Sequence, residues 1–375
     1  MEEYLSLITV MVYYFEIIQP SHDIWRLIEQ SEDSTCFHTE KWNNYIQRIG
    51  FKTVVISVAC QTQPLGYFIG ERIGKGALSI IAAPFNGIGT YTQGFVRTTN
   101  ISISEIERIA IYQALSEWLF DNHLACMLQV DDWQLRRTSK DWIPYEVFKH
   151  YTLEACAIDY SVRPTLCVPV NVSEEQMWVG LHYKSAKYSI NKARKLGLYV
   201  REITDKSEIA AFTQYHYEQL KEVCARQGMR PKPSQSQKRM QALCEELFPE
   251  RIIMLECVGP VESGKEEVMS TGIFCLDKGQ SVYWTGASFQ RFHKYCPNEL
   301  MVWEAMRIAH QRGAGLLNFG GMASYKLKFG TVYEYVPRLS FTKFPMVRWT
   351  KDFLQHAYFD IRTFMAKIIG KHSYK

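Results

Sequence analysis

The chain has 375 residues, with 43 Lys and Arg against 39 Asp and Glu and a formal net charge of +4 at pH 7. That length exceeds one average domain and fits two. An apolar content of 47% is ordinary globular usage, and the mildly basic balance excludes a dedicated nucleic-acid binder, whose surface needs a dense basic stripe.

In chain order, the apolar, uncharged stretch Tyr4 to Phe15 is too short to span a membrane, and Glu2-Glu3 are the wrong flank for a signal peptide. Its Val, Ile, Tyr and Phe content predicts a buried strand, and the expected location is the cytoplasm. Val54 to Ala59, Gly66 to Ile69 and Ala77 to Ala82 read as strands separated by Gly/Pro turns. The run Arg72-Ile-Gly74-Lys-Gly76-Ala77 imitates a pyrophosphate loop, but it lies between two strands. A phosphate cradle should feed a helix N-terminus, so a hairpin turn is predicted. Ser102 opens a helix with Glu105 as its capping-box partner, and Leu124 to Val130 is the next strand, followed by a polar loop through Lys140.

The second half repeats the theme. Leu166 to Val170 is extended, and Ser173 caps a short helix with Gln176 at the box position. A longer helix covers about Lys184 to Leu196, closed by Gly197, and another covers about Ser207 to Gln227. Ile252 to Val258, Val268 to Leu276 and Ser281 to Thr285 are strands, about Asn298 to Arg312 is a helix, and a last strand ends in Asn318-Phe319-Gly320-Gly321. Strand-rich meanders with packed helices, twice over, predict an α+β fold in two units, although no direct sequence repeat is legible. After Phe344 the apolar residues Trp349, Phe353, Ala357, Ile361, Phe364, Met365 and Ile368 share a helical face among Arg348, Lys351, Arg362 and Lys367. This basic amphipathic helix is expected to dock on its own lobe; a peripheral membrane contact at the inner face is the alternative.

The ten cysteines are scattered singly, with no Cys-x-x-Cys pair. A structural zinc is not expected, and buried thiols in a reducing compartment are. Lys184, Lys187 and Asn191 share a helical face that Arg194 extends. That face suits a diphosphate-linked sugar, and a solvated basic surface explains it equally well. Glu299, in a helix's first turn, is a candidate proton acceptor, though the helix dipole alone would favour it there. Trp284, Gly286 and Ser288 lie at a strand end, and Gly320-Gly321 permit close backbone approach or positive φ. Asp131-Asp132, His293 and His310 read as surface or loop groups without a catalytic part.

The run Phe319-Gly320-Gly321, then Tyr325-Lys326, Phe329-Gly330 and Glu334-Tyr335-Val336, resembles the FemAB-like branch of the GNAT acyltransferase superfamily, which includes peptidoglycan cross-bridge aminoacyltransferases and CelD-type enzymes of polysaccharide synthesis. Arg163 to Val170 followed by Trp178 and Lys184 to Val200 resembles a second family block, and Cys36 to Trp42 a third. The resemblance spans about Phe15 to Tyr335. It implies two GNAT-like lobes of mixed sheet flanked by helices, 1–160 and 161–345, with a cleft between them and the tail 346–375 beyond. It also implies that Lys326 meets the donor, that Tyr325 acts through its backbone carbonyl, and that Trp284, Gly286 and Ser288 lie where the acyl donor runs. Only Met322, Ala323 and Ser324 separate the glycines from Tyr325-Lys326, where cross-bridge members carry a longer insertion. The expected donor is therefore acyl-CoA, acetyl-CoA foremost, with no metal. The expected acceptor is an amino group on a nucleotide- or lipid-linked sugar or peptide of the cell envelope. The alternatives are an aminoacyl-tRNA donor, the one case with a nucleic-acid partner, and a catalytically silent assembly subunit.

Overall fold

This computed structural model describes residues 12–74, 78–99, 101–138, 157–321 and 323–344, with Met346, Thr350, Phe353, Ala357 and Ile361 beyond. Most of the predicted amphipathic tail and most of the predicted Tyr4 to Phe15 strand lie outside the described residues, as does the centre of the Arg72–Ala77 run. Contacts divide the chain into two units. One is Met1–Asn86, Thr90–Arg163 and Val336–Thr350; the other is Gly87–Gly89, Pro164–Tyr335 and Lys351–Lys375. The sequence cuts of 160/161 and 345/346 would instead leave Val336–Thr350 mostly with the second unit.

The first unit runs β1 (Tyr13–Ile18), α1 (His22–Gln30), α2 (Glu40–Arg48), β2 (Lys52–Cys60), β3 (Gln63–Ile73), β4 (Ile80–Ala83), β5 (Gly94–Arg97), α3 (Glu105–Asp121) and β6 (Met127–Asp131). From β7 (Ala157–Pro169) the chain passes into the second unit with α4 (Glu174–Gly180), α5 (Tyr188–Lys195), β8 (Tyr199–Glu202), α6 (Ile209–Arg226), α7 (Gln237–Leu247), β9 (Ile252–Pro260), β10 (Glu266–Cys275), β11 (Gln280–Ser288), α8 (Pro297–Gln311) and β12 (Leu316–Asn318); β13 (Val332–Thr342) follows.

Each unit repeats one succession: a strand, two helices, an antiparallel meander, a helix and a parallel strand. In the first, β1, β2, β3 and β4 pair antiparallel and β4 pairs parallel with β6 across α3. In the second, β8, β9, β10 and β11 pair antiparallel and β11 pairs parallel with β12 across α8. A parallel pair requires such a crossover, and an amphipathic helix supplies it while covering the sheet. The outermost strand of each set comes from elsewhere in the sequence: Arg338–Thr342 of β13 on β6, and Cys167–Pro169 of β7 on β12. This exchange is why no contiguous repeat is legible.

The helices form where their apolar faces meet a sheet. Ile109, Tyr112, Leu115 and Leu119 of α3 are buried in the first core, and Met301, Trp303, Met306 and Ala309 of α8 in the second. The predicted Ser102–Glu105 cap is two residues early. Ser104 accepts from the Glu107 amide at 3.2 Å, and the Glu107 carboxylate accepts from the Ser104 amide at 2.7 Å. The later start leaves Ile103 packed on the core and Glu105 paired with Arg137. The Ser173–Gln176 box forms as predicted. Antiparallel pairing of Ile73 with Ile80 agrees with a hairpin across the Arg72–Ala77 run.

Asp131 and Asp132 are not surface groups. They are 1% and 3% exposed and belong to a buried ionic network of the first unit. Arg108 of α3 pairs with Asp33 and, at 3.1 Å, with Asp132. Its guanidinium also donates to Phe95 O at 2.7 Å, and Tyr112 donates its hydroxyl to Asp132 at 2.6 Å. Burial opposes the Arg108 charge, but Asp132, Tyr112 and Asp33 outweigh it and hold the group firmly ionised. Asp131 is gripped by Arg338 at 2.6 and 2.7 Å and by Arg163. Buried Glu71 has its carboxyl pushed up to about 8 by burial, against the hydrogen bond it accepts from the Phe85 amide at 3.1 Å. Burial likewise lowers His38 to about 3, with the nearby Arg108 charge adding to it.

Candidate active site

In the second unit a cavity of about 320 Å³ opens where β11 ends and α8 begins. Tyr283, Gly286 and Ser288 of β11 form one wall, His293, Asn298 and Glu299 a second, and Tyr325, Lys328 and Phe329 of the short helical turn Ser324–Phe329 a third. Val223 and Arg226 of α6 complete it. A bulge sets the first wall: Ile273 pairs with Thr285 and Phe274 with Tyr283, so Trp284 is the extra residue. A bulge re-aims the side chains on either side of it. Tyr283 stacks on Phe274 at 4.8 Å and meets Phe319 edge-on at 5.9 Å. Its hydroxyl then lies over Gly286, where a Cβ would fall 1.8 Å from it. Any larger residue at 286 would have to displace the Tyr283 ring.

The second wall is the start of α8. Its N-cap residue, Cys296, is left-handed at φ +60° and makes no side-chain capping bond. The amides of the first turn therefore have no capping partner from that residue, and the positive end of the helix dipole faces the cavity residues Asn298 and Glu299. Glu299 is paired with Lys328, each side chain 19% exposed. Asn298 Nδ2 donates to Ser288 Oγ at 2.8 Å, and His293 Nε2 lies 3.2 Å from the same oxygen. Burial and the Arg226 charge lower the His293 pKa below its usual 6.5, so the imidazole is neutral at pH 7. Tyr325 keeps 48% of its surface exposed, yet its phenol lies against the cavity wall beside Tyr283, and burial raises its pKa.

Of the sequence-predicted residues, Glu299, Tyr325, Gly286 and Ser288 line this cavity. Lys326 does not. Its ammonium donates back to Phe319 O at 2.7 Å and to Gly320 O, and burial lowers its pKa to about 8. The turn it holds has Gly320 and Gly321 at φ +56° and +50°, and the Gly320 amide donates to Asn318 Oδ1 at 2.7 Å. Trp284 is 5% exposed and donates Nε1 to Gly89 O at 2.9 Å, away from the cavity lining. On the basic helix, Lys187 donates to Val179 O at 3.1 Å and Arg194 pairs with Glu304 at 3.1 Å; Lys184 and Asn191 are exposed, and none of the four lines the cavity.

Sequence reasoning passed over Lys328, His293, Asn298, Arg226 and Tyr283. Lys328 carried a signal, since it falls two residues after Lys326 in the same motif. His293 carried none, because a lone histidine in a polar loop is uninformative until the fold sets it beside Ser288. His310, also discounted, donates from Nδ1 to Val170 O, 2.8 Å away, in a structural role. Among the described residues no group of His, Cys, Asp and Glu is arranged to hold a metal ion, and no helix is long and apolar enough to cross a membrane.

The second unit thus combines a meander, a crossover helix and a polar cavity at the start of that helix. Residues 182–328 match the acetyltransferase (GNAT) domain family. The chain thus carries a GNAT acetyltransferase domain over residues 182–328. The fold likeness is to FemX, at TM-score 0.63 and 12% identity, covering 86% of this chain and 96% of that one. A protein of unknown function from Bacteroides thetaiotaomicron is similar at TM-score 0.53 and 10% identity, covering 87% and 99%. The C-terminal domain of a protein assigned as a lysylphosphatidylglycerol synthetase from Agrobacterium fabrum is similar at TM-score 0.50 and 10% identity, covering 86% and 92%. No curated protein matches the chain.

Proposed function

We propose that the second-unit cavity is the transfer site, where an acyl group passes from an acyl-CoA-type thioester to an amino group of a nucleotide- or lipid-linked sugar or peptide of the cell envelope. The observation that carries this is the meeting of the Lys328–Glu299 pair, the Ser288 hydroxyl and the uncapped start of α8 around one cavity in the GNAT segment. In such a transfer the amine nitrogen bonds to the carbonyl carbon, the C–S bond breaks and the thiolate leaves. Charge gathers on the carbonyl oxygen, where preorganised donors contribute most. Lys328 and the first-turn amides of α8 are the donors available, and Glu299 holds the Lys328 ammonium in place. Lys326 acts on its own turn, fixing the carbonyls of Phe319 and Gly320. Lys184, Lys187, Asn191 and Arg194 are a surface for acceptor phosphate outside the cavity.

The test is transfer from radiolabelled acetyl-CoA to an amino-sugar nucleotide by the purified chain. Lys328→Met should lower kcat/KM by on the order of 10²-fold, as loss of an oxyanion donor does. Unchanged turnover in that variant removes this site assignment. A second reading, aminoacyl transfer from aminoacyl-tRNA, draws on the fold neighbour assigned as making lysylphosphatidylglycerol, an aminoacylated lipid. Donor binding that weakens steeply with salt would favour it, because phosphate contacts release counterions.

A further inference from the structure

Ser288, His293 and Asn298 form a directed hydrogen-bond chain. Asn298 Nδ2 can only donate, and it donates to Ser288 Oγ at 2.8 Å. The Ser288 proton is then free to point at His293 Nε2, 3.2 Å away. Arg226 Nη1, also only a donor, approaches the same nitrogen at 3.5 Å. Arg226, which has no lone pair to offer, places the Nε2 lone pair on its side, and with the Ser288 proton aimed at the same nitrogen the ring proton is assigned to Nδ1. Ser288 is 2% exposed in the cavity wall, whereas His293 is exposed at the rim. The chain therefore runs from a buried hydroxyl to a solvent-facing base.

Resting on the acyltransferase reading of this cavity, we propose that Ser288 and His293 are the proton relay for the attacking amine. As nitrogen bonds to the carbonyl carbon, its proton passes to Ser288 Oγ while the Ser288 hydroxyl proton passes to His293 Nε2. The C–S bond then breaks, and the imidazolium returns the proton to the departing thiolate. Glu299 is a weaker candidate for this step because its carboxylate is engaged by Lys328. The charged groups around His293 are Arg226 and Glu222 on α6 and Glu299 on α8. Burial, then Arg226, lower its pKa, and Glu299 and Glu222 oppose them. The imidazole is thus unprotonated at neutral pH, as a proton acceptor must be.

The relay is tested by pH profiles of kcat and KM for the full chain, with labelled acetyl-CoA and an amino-sugar nucleotide, and by nitrogen NMR of its histidines. His293→Gln and Ser288→Ala should each lower kcat by on the order of 10²-fold with KM little changed. His293→Gln should also abolish the fall in rate on the acid side, and added imidazole should restore turnover to His293→Gly. In the resting wild type Nε2 should be unprotonated and Nδ1 protonated. A His293→Gln enzyme that keeps both its rate and its acid limb, or a wild type with the proton on Nε2, overturns the relay alone. A wild type that transfers no acyl group overturns the reading beneath it, and the relay with it.

Discussion

The two units share a topology and use it oppositely at the same point. In the first, the entry to the crossover helix α3 is closed: Ser104 and Glu107 cap it reciprocally, and Arg108 one residue later is locked among Asp33, Asp132 and Tyr112. In the second, the entry to α8 has no side-chain cap and borders a cavity. A fold that needs a helix start beside a sheet can satisfy that start internally or leave it for a ligand. The contrast teaches that one topology can close a helix entry with side-chain caps or leave it without one beside a cavity.

The largest way to break this contrast is at the closed entry. Arg108→Leu leaves buried Asp132 without its cation and Asp33 with Arg97 alone, and should cost about 3–5 kcal/mol, read by chemical denaturation. A loss below about 1 kcal/mol would mean the network is not structural. Next comes Glu71. Its carboxyl titrates near 4.5 when unfolded and near 8 in the fold. Between those values the folded state keeps a proton that the unfolded chain has lost, so stability falls as pH rises through that window. Glu71→Gln keeps the neutral form. Relative to that variant, the wild type should lose roughly 3 kcal/mol between pH 5 and pH 7.5, at about 1.4 kcal/mol per pH unit; parallel urea titrations check this.

On the open side, Lys326→Met strips a charged donor from Phe319 O and Gly320 O. It should destabilise the second unit by about 2 kcal/mol and loosen the turn carrying Lys328, lowering kcat as well. A variant that loses turnover with no change in stability would return Lys326 to a direct part in the reaction. The smallest effect is Ser104→Ala, which should cost about 1 kcal/mol and leave turnover intact. A fall in kcat there would mean that the closed entry also serves the reaction.

Much of this was legible in the chain. The α+β class, most strands, the Ser173 cap and the glycine-aromatic-lysine segment follow from local patterns that need no partner. The GNAT resemblance fell on the segment that forms the cavity, and Glu299, Tyr325, Gly286 and Ser288 were within it. Which of Lys326 and Lys328 lines the cavity was not legible. Two lysines two residues apart in a tight helical turn look alike as sequence, and only the turn's docking aims one at its own carbonyls and the other at Glu299.

By itself, then, the sequence determined the elements, the two-unit class and the motif segment that borders the cavity, because periodicity, caps and turn residues act over a few neighbours. Tertiary structure alone decided which charges are buried, which strands are exchanged and which side chains converge. Asp132 meets Arg108 across 24 residues, and Thr165 meets Asn318 across 153. Such pairings depend on the sheet's register, which no local pattern encodes.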